Sequence, residues 1–403
     1  MKRKKIYYIA VALAVMCFIQ TGCRSDYHAL EMADGVVLPS AENFDTQIDG
    51  KQVSLYTLEN ENRLRVDITN YGGRIVSLLV PDLNDVFDDI VTGYHTIDEF
   101  LDTEEIYFGA IIGRYGNRIG NASFTLDGTE YNLEANNGPN HLHGGPGGFH
   151  AVVWDAEQID EQTLRLTYLS PHMEEGYPGN LTTEVIYELT NDNELVIRYS
   201  ATTDRTTVVN LTNHAFFNLS GEGNRDIGYH QLRINASHFT PVSEDLIPTG
   251  DIAPVENTPL DFREFRAIGE RIDSDHQQML YGGGYDHNYV LDRPEGSDEL
   301  IFAASIFDPV SGRKMEVLTT EPGLQFYSGN FLSGNEIGKR GEPYGHRTSF
   351  CLETQHFPDS PNKPDFPSTV LEPEERYEST TVYRFTFADE SDYIPFDDAT
   401  PPF

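Results

Sequence analysis

The stretch EVIYELTNDNELVIRYSA, Glu184 to Ala201, reads as two alternating arms around a polar tip at Asn191 to Glu194. Side chains of an extended chain point to opposite faces in turn, so apolar residues at every second position mark a half-buried strand. The segment is therefore a β-hairpin. The same period recurs on both sides of it. Leu64, Val66 and Ile68 alternate with polar residues, TLRLTYL does so just upstream, and TVYRFTFA does so near the C-terminus. FTLDGTEYNL, Phe124 to Leu133, places Asp127-Gly128 between two arms, a pair that favours a tight hairpin turn. KMEVLTTEPGLQFYSGN starts as a strand and breaks at Pro322-Gly323.

Helix signals are few. FREFRAIGERI, Phe262 to Ile272, suggests a short helix, and IDEFL near Ile97 suggests one more. Many short strands separated by turn residues predict an all-β chain, a large antiparallel β-sandwich. No linker divides the middle of the chain, so one domain is expected over 45–388. Its tail, 389–403, is acidic and Pro-containing and is expected to lie loosely on the surface.

The 403 residues include 23 Phe and 22 Tyr, enough apolar material for a large core. The formal net charge is -37. Phosphate binding needs clusters of Lys and Arg, so nucleic acid is excluded as a partner. A neutral small molecule fits the charge better than an anionic one.

The N-terminus carries an export pattern. Lys2 to Lys5 form a basic start, and Ile6 to Ile19 an apolar run. The run is too short for a comfortable membrane span of about 20 residues. Thr21 and Gly22 then precede Cys23. This order resembles a bacterial lipoprotein signal, with Gln20 where Leu is usual. The resemblance implies a signal peptide over 1–22, a lipidated Cys23, a tether over 23–44, and an exported protein on the periplasmic side or at the outer membrane. Membrane contact is expected only through that anchor. Of the three cysteines, Cys17, Cys23 and Cys351, one thiol would remain, so no disulfide framework is expected.

Polar clusters rich in His, Asn, Asp and Gly close several of the strand-like runs. YFGAIIGRYGNRIGN carries Asn117 and Arg118, whose donors and amide suit sugar hydroxyls and also suit an ordinary turn. NHLHGG carries His141 and His143, which share a face if the segment is a strand. A shared metal would need a third ligand, and no further tight ligand grouping stands out. NLTNHAFFNLSG holds His214 beside a Phe pair, and GGGYDHNYVL holds Asp286 after three glycines. SFCLETQHFPDSPN holds Glu353 in an apolar run. Burial there would raise its pKa toward the range of a useful base.

Taken in order, FGAIIGRYGNRI, NHLHGG, NHAFFNL, TPLDFR, GYDHNYVL, PGLQFYSGN and LETQHFPDSPN resemble the motifs of the aldose 1-epimerase (galactose mutarotase) family, from about Val66 to Phe387. Departures are mild: Ala215-Phe216 stands where Ser-Tyr is common, and Gly116 where Ala is common. The resemblance implies a sandwich with an open sugar cleft and exchange of the α and β anomers of free aldohexoses such as glucose and galactose. It implies Glu353 as base on the C1 hydroxyl, His214 as acid at the ring oxygen, and His143 as a hydrogen-bond donor nearby. Asn117, Arg118, Asp286 and Gln325 would hold hydroxyls. No metal or cofactor is expected, His141 has no assigned role, and the glycines after His143 are expected to leave room for the sugar ring. A monomer or weak dimer is expected. The main rival is a carbohydrate-binding lipoprotein without catalysis. A hexose-6-phosphate epimerase would need a cationic pocket, which a chain poor in Lys and Arg does not suggest. A sandwich module of a polysaccharide-degrading enzyme would need length that is not there.

Overall fold

The hairpin forms where the pattern places it. Leu181–Leu189 pairs antiparallel with Glu194–Thr203, without a slip, from Leu181 opposite Thr203 to Leu189 opposite Leu195. Leu181, Thr183, Val185, Tyr187 and Leu189 are buried, and the residues between them are not. At the tip Asn193 turns the chain in the left-handed region, φ 61°, which Asn tolerates better than most residues. The Asn60 side chain pins that tip by donating to the Thr190 carbonyl (2.7 Å) and to Asn193 Oδ1 (2.9 Å).

Around the hairpin grows a nine-stranded sheet. Its order is Asp155–Gln158, Thr163–Ser170, Leu181–Leu189, Glu194–Thr203, Tyr377–Phe387, Arg313–Thr319, Ile301–Phe307, Gln231–Ile234 and Arg266–Ala267. Every neighbouring pair is antiparallel. Two smaller antiparallel sheets complete the sandwich. One has four strands, Leu55–Glu59 to Phe87–Asp89. The other has five, in the order Ala253–Pro254, His238–Phe239, Asp286–Val290, Gly323–Tyr327 and Cys351–Gln355. One continuous core joins the three. Val66, Ile68 and Ile75 come from the four-stranded sheet, Leu324, Phe326 and Leu352 from the five-stranded one, and Leu166, Leu195 and Ile197 from the large sheet. Each such side chain contributes roughly 1.5–3 kcal/mol relative to exposure. With a single buried thiol, Cys351, among the described residues, burial rather than cross-linking holds the body together.

The computed structural model describes residues 30–294, 297, 299–389 and 392. The signal segment and Cys23 lie outside them. Among the described residues no helix is long and apolar enough to cross a membrane.

Three expectations need correction. The body starts before Asp45: from Glu31 on, the chain belongs to one compact unit. The Phe87 N–H donates to the Glu31 carbonyl (2.8 Å), and Phe44 is fully buried. Residues 31–44 of the tether expected over 23–44 therefore belong to the body. At the other end, Asp392 is drawn in by Lys314 Nζ at 2.9 Å, so the acidic tail begins anchored rather than loose. Finally, Phe262 to Ile272 is not an α-helix. Arg266–Ala267 pairs with Gln231–Ile234 at the edge of the large sheet, and Ile268–Glu270 makes a single 3-10 turn. A short isolated helix is marginal in water, so sheet pairing wins. The helix near Ile97 does form, Ile97–Asp102, started by a capping box between Thr96 and Glu99.

Candidate active site

The five-stranded sheet has two unlike faces. Tyr289, Leu324, Phe326 and Leu352 point into the core. Asp286, Tyr327 and Glu353, on the same three strands, which run to one edge of the sheet, line a cleft of about 440 Å³. The alternation that hides Leu352 thus presents Glu353, and Gln325 lies directly opposite Glu353 in the register. His214 follows the short strand Thr212–Asn213. Its Nε2 lies 3.6 Å from Glu353 Oε1, and its Nδ1 lies 3.5 Å from Cys351 Sγ.

Asn117 and His143 reach the same cleft from left-handed turns, and Arg118 from the two-residue strand Arg118–Ile119 that pairs with His141–Leu142. Asn117 sits at φ 60° and His143 at φ 52°. The two are tied reciprocally: His143 N–H donates to the Asn117 carbonyl (3.0 Å), and Asn117 N–H donates to His143 Nδ1 (3.1 Å). A neutral imidazole carries one proton, so the second bond places it on Nε2 and makes that nitrogen a donor. Arg118 Nε donates to Asn137 Oδ1 (3.0 Å), and its Nη1 stands 3.7 Å from Asp286 Oδ2.

His141 and His143 do not share a face. The strand is only His141–Leu142, and the left-handed turn at His143 breaks the alternation. His141 is buried away from the cleft against Tyr177, with Nδ1 2.7 Å from the Glu134 carbonyl. The glycines behave differently from expectation too. A Cβ on Gly144, at φ 82°, would lie 1.9 Å from the Gly113 carbonyl oxygen. Gly144 is thus required by close backbone packing. It does not clear space for a sugar. Gln325 is displaced by one layer as well: it is not among the lining residues and donates to Asp286 Oδ1 at 2.6 Å.

Burial dominates the electrostatics. It pushes the Glu353 carboxyl well above the usual range, with Asp286 adding to the rise and Arg118 opposing it. It lowers His214 to about 3 and His143 well below its ordinary value. Both members of the Glu353–His214 pair therefore favour their neutral forms when the cleft is empty, and their shared proton rests on Glu353. Glu353 Oε2 is buried without a hydrogen-bond partner. An orphaned buried acceptor is costly, and a polar ligand would satisfy it.

Several lining residues escaped the sequence analysis, Tyr107 and Glu105 among them. Tyr107 packs its ring against His143 and His214, with centroids at 4.7 and 5.8 Å. Glu105, pushed up to about 7 by burial, accepts from the Tyr107 N–H at 3.2 Å. The buried Arg74 guanidinium holds this segment by donating to the carbonyls of Ile106, Phe108 and His150. Tyr107 directly precedes FGAIIGR, which was the available signal; Arg74 is too far along the chain to suggest its role. Phe331 adds an exposed ring at the cleft, stacked on Tyr327 at 5.9 Å.

Comparison with known proteins decides the family. The model of the aldose 1-epimerase family matches residues 54–384. The chain belongs to the aldose 1-epimerase family. It is 44% identical to galactose mutarotase of Bos taurus over 344 residues, covering 85% of this chain and 97% of that protein. It is 37% identical to aldose 1-epimerase of Escherichia coli, covering 84% and 96%. An aldose epimerase homologue from C. elegans of known crystal structure superposes with a TM-score of 0.77 at 28% identity, over 84% of this chain and all of that one. The epimerase relatives thus span the whole sandwich, cleft included.

Proposed function

We propose that this chain interconverts the α and β anomers of free aldohexoses such as glucose and galactose, with Glu353 and His214 moving the protons. One observation carries the reading: a carboxyl and an imidazole, both buried, stand 3.6 Å apart in the wall of one cleft. Anomer exchange needs a base at the C1 hydroxyl and an acid at the ring oxygen. Glu353 takes the C1 hydroxyl proton. The C1–O5 bond breaks as C1 becomes an aldehyde, and His214 Nε2–H protonates O5. Rotation about C1–C2 and the reverse steps close the ring on the other face. His143 Nε2–H donates toward the oxygen that gains charge. Arg118, Asp286 and Asn117 grip hydroxyls, and Gln325 acts through Asp286 by fixing its carboxylate.

The productive state is the ion pair, since a protonated Glu353 cannot accept from C1. Sugar binding must therefore shift the single proton from Glu353 to His214. The sugar's hydroxyls support that shift, because they resolvate the carboxylate, including its orphaned Oε2. No metal or cofactor enters these steps.

Two alternatives fit less well. A sugar-binding lipoprotein has no use for an acid and a base at the anomeric carbon. A phosphorylated hexose would meet Glu105, Glu244, Asp245, Asp286 and Glu353, with Arg118 as the one Lys or Arg among the lining residues. Polarimetry of freshly dissolved α-galactose and α-glucose tests the proposal. Rotation should relax many times faster with the protein than without it. Sugar binding without acceleration would make it a binding protein. Export and lipidation at Cys23 rest on the order of residues 2–23. They would place the enzyme at the periplasmic side or outer membrane. Fatty-acid labelling that persists in Cys23→Ser would refute them.

A further inference from the structure

We propose that His143, His214 and Glu353 also form an inhibitory zinc site, in which a Zn²⁺ ion occupies the position of the anomeric centre and excludes the sugar. Each residue offers one ligand atom, all three are buried, and the three atoms lie within 4.8 Å of one another. Two imidazoles and a carboxylate, with a fourth position open to solvent or substrate, make a complete zinc ligand set. With bond lengths of about 2.0–2.2 Å, the edge of a tetrahedral site measures roughly 3.3–3.6 Å. His214 Nε2 and Glu353 Oε1, at 3.6 Å, already stand at that spacing. His143 has to close in by a small rotation.

A second observation points to a cation. Glu353 Oε2 is buried in the cleft wall and lacks any partner. Glu105, Glu244, Asp245 and Asp286 line the same cleft, in a chain whose formal charge is -37. Such a cleft concentrates dications. Arg118 opposes them but is offset by Asp286, 3.7 Å away. Nitrogen ligands then select zinc over magnesium and calcium, which prefer all-oxygen sites.

One feature works against the ion. The Asn117 N–H on His143 Nδ1 keeps the ring proton on Nε2. Metal at Nε2 moves that proton to Nδ1, where it faces another donor. The lost bond weakens the site by roughly ten- to a hundredfold relative to the same ligands without it. The site is therefore reversible and yields to sugar at sufficient concentration, which is inhibition rather than a built-in metal requirement.

The inhibitory effect rests on the epimerase reading; the binding does not. The experiment uses the full chain stripped with a chelator and then titrated with Zn²⁺ or Co²⁺. Mutarotation should be fully active after stripping and fall on adding Zn²⁺, with galactose raising the Zn²⁺ needed. One Co²⁺ per chain should give the visible bands of a four- or five-coordinate ion. Glu353→Gln, nearly isosteric, and His143→Ala should each weaken Co²⁺ binding about a hundredfold, with thermal melts confirming that both variants fold. Unchanged Co²⁺ bands in both variants would overturn the site, as would activity indifferent to millimolar Zn²⁺ or dependent on it. If the stripped chain accelerates no aldose, the epimerase reading fails, and the cobalt bands still decide whether the three residues bind metal.

Discussion

Tyr187 and His143 are both buried, yet different rules put them there. Tyr187 lies in the large sheet, on a nine-residue strand where every second side chain is buried. Its position follows from its own neighbours in sequence. His143 lies at the cleft, in a left-handed turn after a two-residue strand. Its position follows from Asn117, 26 residues away, which grips its backbone and its ring. The sheet supplies stability through many equivalent contacts. The cleft supplies chemistry through a few unique ones. Variants in the two regions should therefore fail in different ways.

The largest effect should come from the cleft. His214→Ala removes the acid, and kcat should fall about 10²–10⁴-fold in a polarimetric assay, with the melting temperature nearly unchanged. The mirror case is Leu195→Ala, which opens a cavity in the fully buried core. It should cost about 2–5 kcal/mol in a denaturant melt and leave kcat per folded molecule intact. If Leu195→Ala lost turnover as well, the separation between sheet and cleft would not hold. A smaller effect belongs to Asp286→Asn, which keeps the shape but weakens the grip on hydroxyls. KM for galactose should rise about tenfold, with a lesser change in kcat.

The pH dependence sharpens the comparison further. The active pair holds one proton. It gains a second only when His214 titrates, at about 3, and loses its one only above the raised value of Glu353. From about two pH units above the His214 value up to the point where Glu353 loses its proton, kcat/KM should therefore be nearly flat, apart from a minor inflection at about 7 from Glu105. Removal of that inflection by Glu105→Gln is the smallest effect expected. A steep acid limb near an ordinary histidine value would show that His214 is not desolvated as described.

This contrast also explains what the sequence could reveal. Strand positions in the large sheet were legible because period-two alternation is a local property. Asp127-Gly128 was legible because both residues take positive φ, 53° and 76°, as a tight hairpin turn requires. The cleft was legible only as ordered motifs. Glu353, His214, His143, Asn117, Arg118 and Asp286 do converge on it. Motifs did not reveal which residues stand behind others. Gln325 supports Asp286, His141 turns away, and Gly144 serves a close backbone approach. Each of these outcomes is set by a contact distant in sequence. Residues 31–44 misled for the same reason: their partners, such as Phe87 for Glu31, lie far along the chain.

The central claim is that one proton shared by Glu353 and His214 drives anomer exchange, and Glu353→Gln tests it most directly. The amide keeps the size of the side chain and cannot take the C1 proton. The account predicts a correctly folded variant that binds galactose and leaves α-galactose relaxing at close to the uncatalysed rate. Relaxation by Glu353→Gln as fast as by the wild type would contradict it.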